Sequence, residues 1–481
     1  MSNDKSILVN LIWKFSERVL AQLVTFIVSI VLARLLLPDD YGAIAMTLVF
    51  ITVADVFVTS GFGNALIQKK DADNIDFSSV FYFNIGFSLP MYLLLVAAAP
   101  YIAEYYNYPI IDPVLKIMGI RVIFSGINSV QQAYVSRNMI FKKFFWSTFF
   151  GTIMSGIVGV VMAYMGFGVW ALVAQYMTNS IINTLVLWFA VRWRPDLSFS
   201  VLRLKGLISY GWKILFEGVS NTIVGELRNL IIGKVYTPGD LGFYTKAQQF
   251  PRLLVDNISV SISSVLFPAM SLEQDDEQRV KTMLRKSIVQ SSYLLFPMLM
   301  GLAVVAKPLV TILLTEKWLD CVPYMQIFCY TNAAIIGMIP RHQALNATGR
   351  SDVFMYEHIF ARAVGIALLI SVYKISVMAI ALSGIASSII LSLTVMYTSK
   401  RFNHYGYKEQ IADVLPIVIL SVCMGAPVFF VQYLGMNDFF TLLTQVLLGV
   451  TIYTGLSVVF KPEGYKLTKI YAIALLGKIR S

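Results

Sequence analysis

An uncharged stretch between Lys143 and Arg192 limits the folds open to this chain. The segment YMGFG at 164–168 interrupts this stretch and divides it into two apolar segments of roughly 20 residues each. A helix of about 20 apolar residues crosses the hydrocarbon core of a bilayer. Similar uncharged segments occur at 77–103, 287–306, 375–399, 414–437 and 439–460. The chain is therefore predicted to cross a membrane many times.

The composition supports a helical membrane protein. Of the 481 residues, 57% are apolar and 14% are charged, whereas charged residues make up about a quarter of a soluble domain. The apolar residues run continuously instead of alternating, which excludes a membrane β-barrel. Charge-free segments and turn residues together predict an all-α integral membrane protein of about fourteen transmembrane helices.

Lysine and arginine are distributed unevenly between the predicted loops. The N-terminus, every second loop and the C-terminal tail hold most of them, in segments such as RNMIFKK and RVKTMLRK. The intervening loops hold only Lys307, Lys317 and Lys374. Under the positive-inside rule this asymmetry predicts that both termini are cytoplasmic. It also accounts for most of the net charge of +11, so no nucleic-acid partner is expected.

One corner between two helices occurs twice in the sequence. Laying 11–70 over 211–270 without a gap aligns two Pro-x-Asp-x-Gly segments, namely Pro38, Asp40 and Gly42 with Pro238, Asp240 and Gly242. We interpret all six residues as structural, because proline ends a helix, aspartate caps the next helix and glycine relieves crowding in a short turn.

The position of the two corners predicts the domain organisation. Six predicted spans separate them, so the repeats are parallel and related by an axis along the membrane normal. The predicted architecture is an N-terminal bundle at 1–200 with helices 1–6 and a C-terminal bundle at 201–405 with helices 7–12. Residues 406–481 add helices 13 and 14 and a basic cytoplasmic tail.

Some cations fall inside predicted spans, where each costs about 2.5–3.5 kcal/mol at a helix centre. Those near helix ends reach headgroups by extending along the helix, and this explanation fits Arg34, Lys116, Lys234 and Lys246. Our hypothesis is that six predicted helices line a cationic cavity for an anionic ligand, since arginine suits phosphate or carboxylate. They are predicted helices 1 (10–37), 2 (41–66), 4 (114–135), 7 (207–236), 8 (241–269) and 10 (320–346). The candidate substrate-binding residues are Lys14, Arg18, Arg121, Lys213, Arg228, Arg252 and Arg341.

The acidic residues in the same helices leave two interpretations open. They pair with the cations, or they bind protons or sodium ions; the residues concerned are Glu17, Asp55, Glu217, Glu226 and Asp256. No metal site is expected, because the cysteines lack metal-ligand spacing. His342, His358 and His404 have no ligand partners at suitable spacing, which predicts structural or loop roles. No cofactor is expected apart from a coupling ion, H⁺ or Na⁺.

Several segments resemble a known family in their order and spacing. They include SIVLARLLLPDDYGAIAM, NMIFKKF, GFGVWALVAQ, YTPGDLGFYTKAQQFPRLL and ALNATGRSD. The chain resembles bacterial polysaccharide exporters of the Wzx type, closest to the colanic-acid (WzxC) branch, in the multidrug/oligosaccharidyl-lipid/polysaccharide (MOP) superfamily. The resemblance runs from about residue 5 to 405 and is specific in combination.

The resemblance implies a non-enzymatic flippase of the bacterial inner membrane. It would move an undecaprenyl-diphosphate-linked oligosaccharide from the cytoplasmic to the periplasmic leaflet by alternating access, driven by a proton or sodium gradient. Polysaccharide polymerase and export machinery are implied partners besides the lipid bilayer. The six candidate residues for the diphosphate or acidic sugars are Arg18, Arg121, Lys213, Arg228, Arg252 and Arg341.

Two alternatives remain open from the residues. A multidrug/cation antiporter of the same superfamily would share the architecture, although cationic substrates call for an acidic cavity. A membrane-embedded glycosyltransferase or polymerase is the enzyme alternative. Against it, the predicted outward loops are short, and the sequence has no Walker-type phosphate loop or nucleophile arrangement.

Overall fold

The computed structural model describes residues 21–59, 62–69 and 71–470. By compactness the chain divides after Gly242 into a first unit and a second unit. The first unit contains α1 (Ala21–Leu35), α2 (Pro38–Thr59), α3 (Phe62–Gln68), α4 (Asn74–Tyr106), α5 (Ile111–Met118), α6 (Arg121–Arg137), α7 (Phe141–Tyr164), α8 (Val169–Ala190) and α9 (Val201–Val235).

The next helix, α10 (Pro238–Leu272), begins in the first unit and continues into the second. The second unit then contains α11 (Glu277–Val304), α12 (Ala306–Leu314), α13 (Val322–Ala334), α14 (Met338–Ala347), α15 (Ser351–Val372), α16 (Val377–Phe402), α17 (Tyr407–Phe430) and α18 (Asp438–Phe460). Short 3₁₀ segments, Glu316–Cys321 and Val431–Tyr433, precede α13 and follow α17.

Within the described residues, eleven helical segments are long and apolar enough to cross a membrane. This confirms a multi-pass, all-helical membrane fold. The long helices α8 and α9 are not among the eleven, because α8 carries several amides and hydroxyls and α9 carries charges along its length. The count of fourteen spans stays a prediction.

Two of the eleven candidate spans in the structure are each broken by a turn. The span Ile111–Arg137 consists of α5 and α6, separated at 119–120, and the span Glu316–Ala347 contains α13 and α14, separated at 335–337. An arginine follows each break: Arg121 begins α6, and Arg341 lies in the first turn of α14. The breaks therefore place a cation near the start of a new helix in each unit.

The two repeated corners pack directly against each other. A Cβ added at Gly42 would lie 1.8 Å from the carbonyl oxygen of Pro238, and one at Gly242 would lie 2.1 Å from that of Pro38. Each proline starts its helix, and each aspartate closes the corner: Asp40 Oδ2 accepts from the Leu37 backbone at 2.9 Å and Asp240 Oδ2 from the Thr237 backbone at 3.1 Å. The glycines lie inside α2 and α10, so their small size serves helix packing and not the turn.

Helix α9 packs on α2, α3 and α4, and it therefore belongs to the first unit. The bundle boundary predicted between residues 200 and 201 concerns the sequence repeat and remains a prediction. In the first unit α7 packs along α8, and an aromatic core forms around Phe77, Phe81 and Trp193. In the second unit α11 packs along α17, and α15 packs along α16.

Candidate functional site

Arg121 lies at the centre of a polar group in the first unit. Its Nε donates to Ser180 Oγ on α8 at 3.2 Å, and its guanidinium carbon lies 5.1 Å from the ring centre of Tyr176, one turn earlier on α8. From α2, Asp55 interacts with the Ser125 hydroxyl and with the charge of Arg121. The structure thus brings together two predicted site residues, one cation and one acid, between α2, α6 and α8.

The guanidinium of Arg121 retains binding capacity. Apart from the bond to Ser180, its N–H groups donate to no other residue in the described part of the chain. Its planar fork suits the oxygens of a phosphate or carboxylate, and the Tyr176 face holds the plane of the fork in position. Further along α6, Asn128 donates to Thr184 of α8 at 2.7 Å, so a second polar contact joins the same two helices.

The predicted cations and acids of α9 are distributed along the helix. Arg228 is half-buried, and its Nε has no hydrogen-bond partner among the described residues. Glu226 Oε2 accepts from Asn229 at 2.7 Å, whereas Glu217 is exposed. The side chain of Lys213 lies outside the described atoms. Lys14, Glu17 and Arg18 also lie outside the described residues.

In the second unit Arg341 is buried and belongs to a hydrogen-bonded network. Its Nη2 donates to Gln410 Oε1 at 2.9 Å, and Gln410 in turn donates to the Tyr405 backbone carbonyl at 2.6 Å. The Tyr405 hydroxyl donates to Asp413 at 2.6 Å, and Asp413 binds Arg285 through two hydrogen bonds. Arg341 therefore connects α14 with α17, and this contact gives it a structural role beside any role in binding.

The remaining predicted residues of the second unit lie on α10. Arg252 and Asp256 are both exposed and lie one turn apart on the same face of that helix. An acid and a cation at this spacing are neighbours on a helix surface.

Sequence reasoning missed a cluster formed by His342, Glu357, His358 and Thr398. His342 Nε2 lies 3.5 Å from Glu357 Oε2, and Thr398 donates to Glu357 Oε1. The rings of His342 and His358 have centres 5.3 Å apart, and Phe354 contacts both rings. Spacing along the sequence did not show this cluster, because its members come from three different helices, α14, α15 and α16.

Within the described ranges, no group of three or more His, Cys, Asp or Glu side chains is placed to hold a metal ion.

A charged cavity of about 500 Å³ lies in the first unit. It is lined in part by Lys69, Arg203 and Leu207. Lys69 Nζ binds the buried Asp76 at 2.7 Å, and Arg203 Nη1 binds Asp73 at 2.5 Å. Asp73 and Asp76 also form a reciprocal capping box at the start of α4. Both cations are paired, so the cluster anchors α9 to the start of α4.

This anchor predicts a pH-dependent contribution to stability. The hydrogen bond from Arg203 lowers the pKa of Asp73 below its ordinary value of 3.8. The pair therefore contributes its full stabilisation above pH 3.8. This stabilisation is lost as the pH falls through the lower pKa that Asp73 has in the folded state. We expect Arg203→Gln to lower stability slightly at neutral pH, since both side chains of the pair are partly exposed.

The measurement is the thermal unfolding of the detergent-solubilised protein between neutral and acidic pH. The difference between wild type and Arg203→Gln should shrink below pH 3.8. Lys205→Gln removes a neighbouring exposed cation and serves as the matched control. A difference that persists unchanged at acidic pH would contradict the assignment.

The chain is similar to proteins of polysaccharide biosynthesis. Residues 31–323 match the family described as polysaccharide biosynthesis protein. The succinoglycan biosynthesis transport protein ExoT of Rhizobium meliloti (strain 1021) is 24% identical over 333 residues, covering 69% of this chain and 67% of that protein. The lipopolysaccharide biosynthesis protein WzxC of Escherichia coli (strain K12) is 23% identical over 337 residues, covering 69% of this chain and 68% of that protein.

Solved structures share the fold. The lipid II flippase MurJ, in an inward closed conformation, matches with a TM-score of 0.74 at 17% identity, covering 94% of this chain and 98% of that chain. An inward-facing multidrug resistance MATE transporter of the MOP superfamily matches with a TM-score of 0.64 at 11% identity, covering 80% of this chain and 94% of that chain. These matches confirm the fold inferred from the sequence resemblance. Because the family match covers more than half of the chain, this protein belongs to the polysaccharide biosynthesis protein family and has the fold of MOP superfamily transporters.

Proposed function

We propose that this protein is a flippase for lipid-linked oligosaccharides and not an enzyme. Family membership supports this proposal, and so do relatives that are named as transport and polysaccharide biosynthesis proteins. The observation that carries the proposal is Arg121, a half-buried cation in a multi-pass membrane fold. Among the described residues its guanidinium has no hydrogen-bond acceptor besides Ser180. Because a charged side chain in a membrane-spanning segment is costly, its presence there marks a candidate functional site.

The proposed substrate is an undecaprenyl-diphosphate-linked oligosaccharide. Arg121 would bind a diphosphate oxygen through its free N–H groups while Ser180 and Tyr176 hold the guanidinium in position. Asp55 would balance the charge of Arg121 when the substrate has left. The other proposed contacts to the anionic headgroup are Lys14, Arg18, Lys213, Arg228, Arg252 and Arg341.

The proposed setting is the bacterial inner membrane, with both termini cytoplasmic. Transport would run from the cytoplasmic to the periplasmic leaflet by alternating access, coupled to a proton or sodium gradient. The polysaccharide polymerase and export machinery of the same pathway are the proposed partners.

The test is the pool of lipid-linked oligosaccharide in a strain that lacks this protein. We expect completed intermediates to accumulate on the cytoplasmic face and wild-type protein to clear them. Arg121→Ala should slow clearance by about tenfold or more, since a hydrogen bond to a charged group contributes about 1.5–3 kcal/mol. The measurement is the rate at which labelled intermediates disappear after induction.

Lys116→Ala is the matched control. Lys116 lies in the same predicted span, and its partner is Asp112, one turn away at 2.8 Å, so this pair contributes little. Membrane levels of both variants are measured together with clearance. Intermediates that stop short of a complete repeat unit would instead indicate a glycosyltransferase or polymerase. An unchanged pool combined with altered resistance to cationic drugs would indicate an antiporter.

A further inference from the structure

The cluster around Glu357 has the features of a site that gains and loses a proton. Glu357 is 3% exposed and lies in a membrane-spanning segment. Its Oε1 accepts from Thr398, but its Oε2 has no hydrogen-bond partner among the described residues. The nearest candidate is His342 Nε2 at 3.5 Å, which is also buried and unpaired in that part of the chain. A single proton between the two atoms would allow a hydrogen bond to form.

A second imidazole extends this site. His358 follows Glu357 on α15, and its Nε2 is likewise buried without a hydrogen-bond partner in the described structure. The two imidazole ring centres are 5.3 Å apart, and the Phe354 ring contacts both imidazoles. A buried polar atom left unpaired lowers the stability of the folded state. Three such atoms lie in this one cluster, and a bound proton would give two of them, Glu357 Oε2 and His342 Nε2, a partner.

Charged side chains lie close to the cluster, so gain or loss of a proton changes the local electrostatics. Arg341 from α14 and Arg362 from α15 are the cations that interact with Glu357 and His358, respectively. Thr398 of α16 is neutral, as is Gln410 of α17, the partner of Arg341. Because Arg341 and His342 are adjacent on α14, a proton on His342 changes the charge beside a proposed substrate cation.

We propose that His342, Glu357 and His358 form a proton-binding site that is filled and emptied during the transport cycle. This inference rests on the proposed function and names the ion that would drive it. The proton moves between Glu357 Oε2 and His342 Nε2, and His358 serves as the second acceptor. Loading the site would add positive charge beside Arg341 and alter the junction of α14 with α15 and α17. Imidazole is the side chain whose ordinary titration falls in the physiological range.

The first experiment observes protonation directly. The chain has three histidines, so ¹⁵N-histidine labelling in lipid nanodiscs gives few signals, which single His→Gln variants assign. A pH series then shows whether the imidazoles of His342 and His358 bind and release a proton. Glu357→Gln removes the carboxylate next to His342 and should therefore change how the His342 signal responds to pH. The signal of His404, whose side chain is 68% exposed, should be the same in Glu357→Gln as in the wild-type protein.

The second experiment measures clearance of lipid-linked oligosaccharide with and without a protonophore. We expect Glu357→Gln to slow clearance by about tenfold and to remove its dependence on the proton gradient. Glu277→Gln is the matched control, because Glu277 also lies 3.5 Å from a histidine, His404, but at an exposed position. The substitution at Glu357 is isosteric and keeps an acceptor for Thr398, which favours folding.

The outcomes separate the two proposals. The inference is overturned when His342 and His358 keep one protonation state, or when Glu357→Gln leaves both the His342 signal and gradient-dependent clearance unchanged. If wild-type protein clears no intermediate, the proposed function fails. The histidine titration then still tests the proton site, because it requires no substrate.

Discussion

Replacing Gly42 or Gly242 with alanine is expected to remove most of the folded protein from the membrane. The added Cβ would lie 1.8 Å or 2.1 Å from a backbone carbonyl oxygen, distances at which no rotamer change helps. One corner must move away from the other, and overpacking of this kind costs about 3 kcal/mol or more. The measurement is the amount of monodisperse protein after detergent extraction, together with its melting temperature.

The control for the glycine variants is Gly225→Ala on α9. No atom lies within 4 Å of a Cβ added there, so the substitution should be neutral or stabilising by up to about 1 kcal/mol. Since the two tight contacts join the same pair of corners, the double variant should cost less than the sum of the single variants. Normal yield and stability of Gly42→Ala would show that the corners do not pack closely in the membrane.

The fold was predictable where the sequence carries a strong local signal. Long apolar runs identified the membrane fold, and the Pro-x-Asp-x-Gly pattern identified two helix starts. The breaks at 119–120 and 335–337 were not predicted, because a single glycine such as Gly119 or Gly337 is tolerated inside a helix. The purpose of Gly42 was also missed, since a contact with Pro238 is a tertiary feature that local turn chemistry does not reveal.

The candidate site was predictable only residue by residue. A cation inside an apolar span identified Arg121, but its partner Ser180 lies 59 positions away, and hydrophobic patterns do not specify which helices face each other. The histidine cluster shows the same limit more strongly. His342 and Glu357 lie on helices on either side of a turn, so no helical spacing relates them.

Removing the Arg285 side chain is expected to destabilise the second unit more than any exposed charge substitution. Asp413 is 4% exposed and accepts two hydrogen bonds from Arg285, at 2.6 and 2.7 Å. Arg285→Gln leaves this carboxylate with the Tyr405 hydroxyl as its remaining donor among the described residues. Breaking a buried pair from one side costs about 3–5 kcal/mol, and the 44% exposure of Arg285 favours the lower end.

The measurement for this pair is denaturant or thermal unfolding of the single and double variants in detergent. Arg285→Gln combined with Asp413→Asn should be more stable than Arg285→Gln alone, because the double variant leaves no buried charge unpaired. Arg279→Gln on the same helix is the control: Arg279 binds Glu273 at 2.8 Å but is 64% exposed, so its loss should cost less than about 1 kcal/mol. If the two arginine variants lose equal stability, the Asp413 pair is only a surface interaction. The network that connects Arg341 to α17 would then contribute no more than its exposed charges.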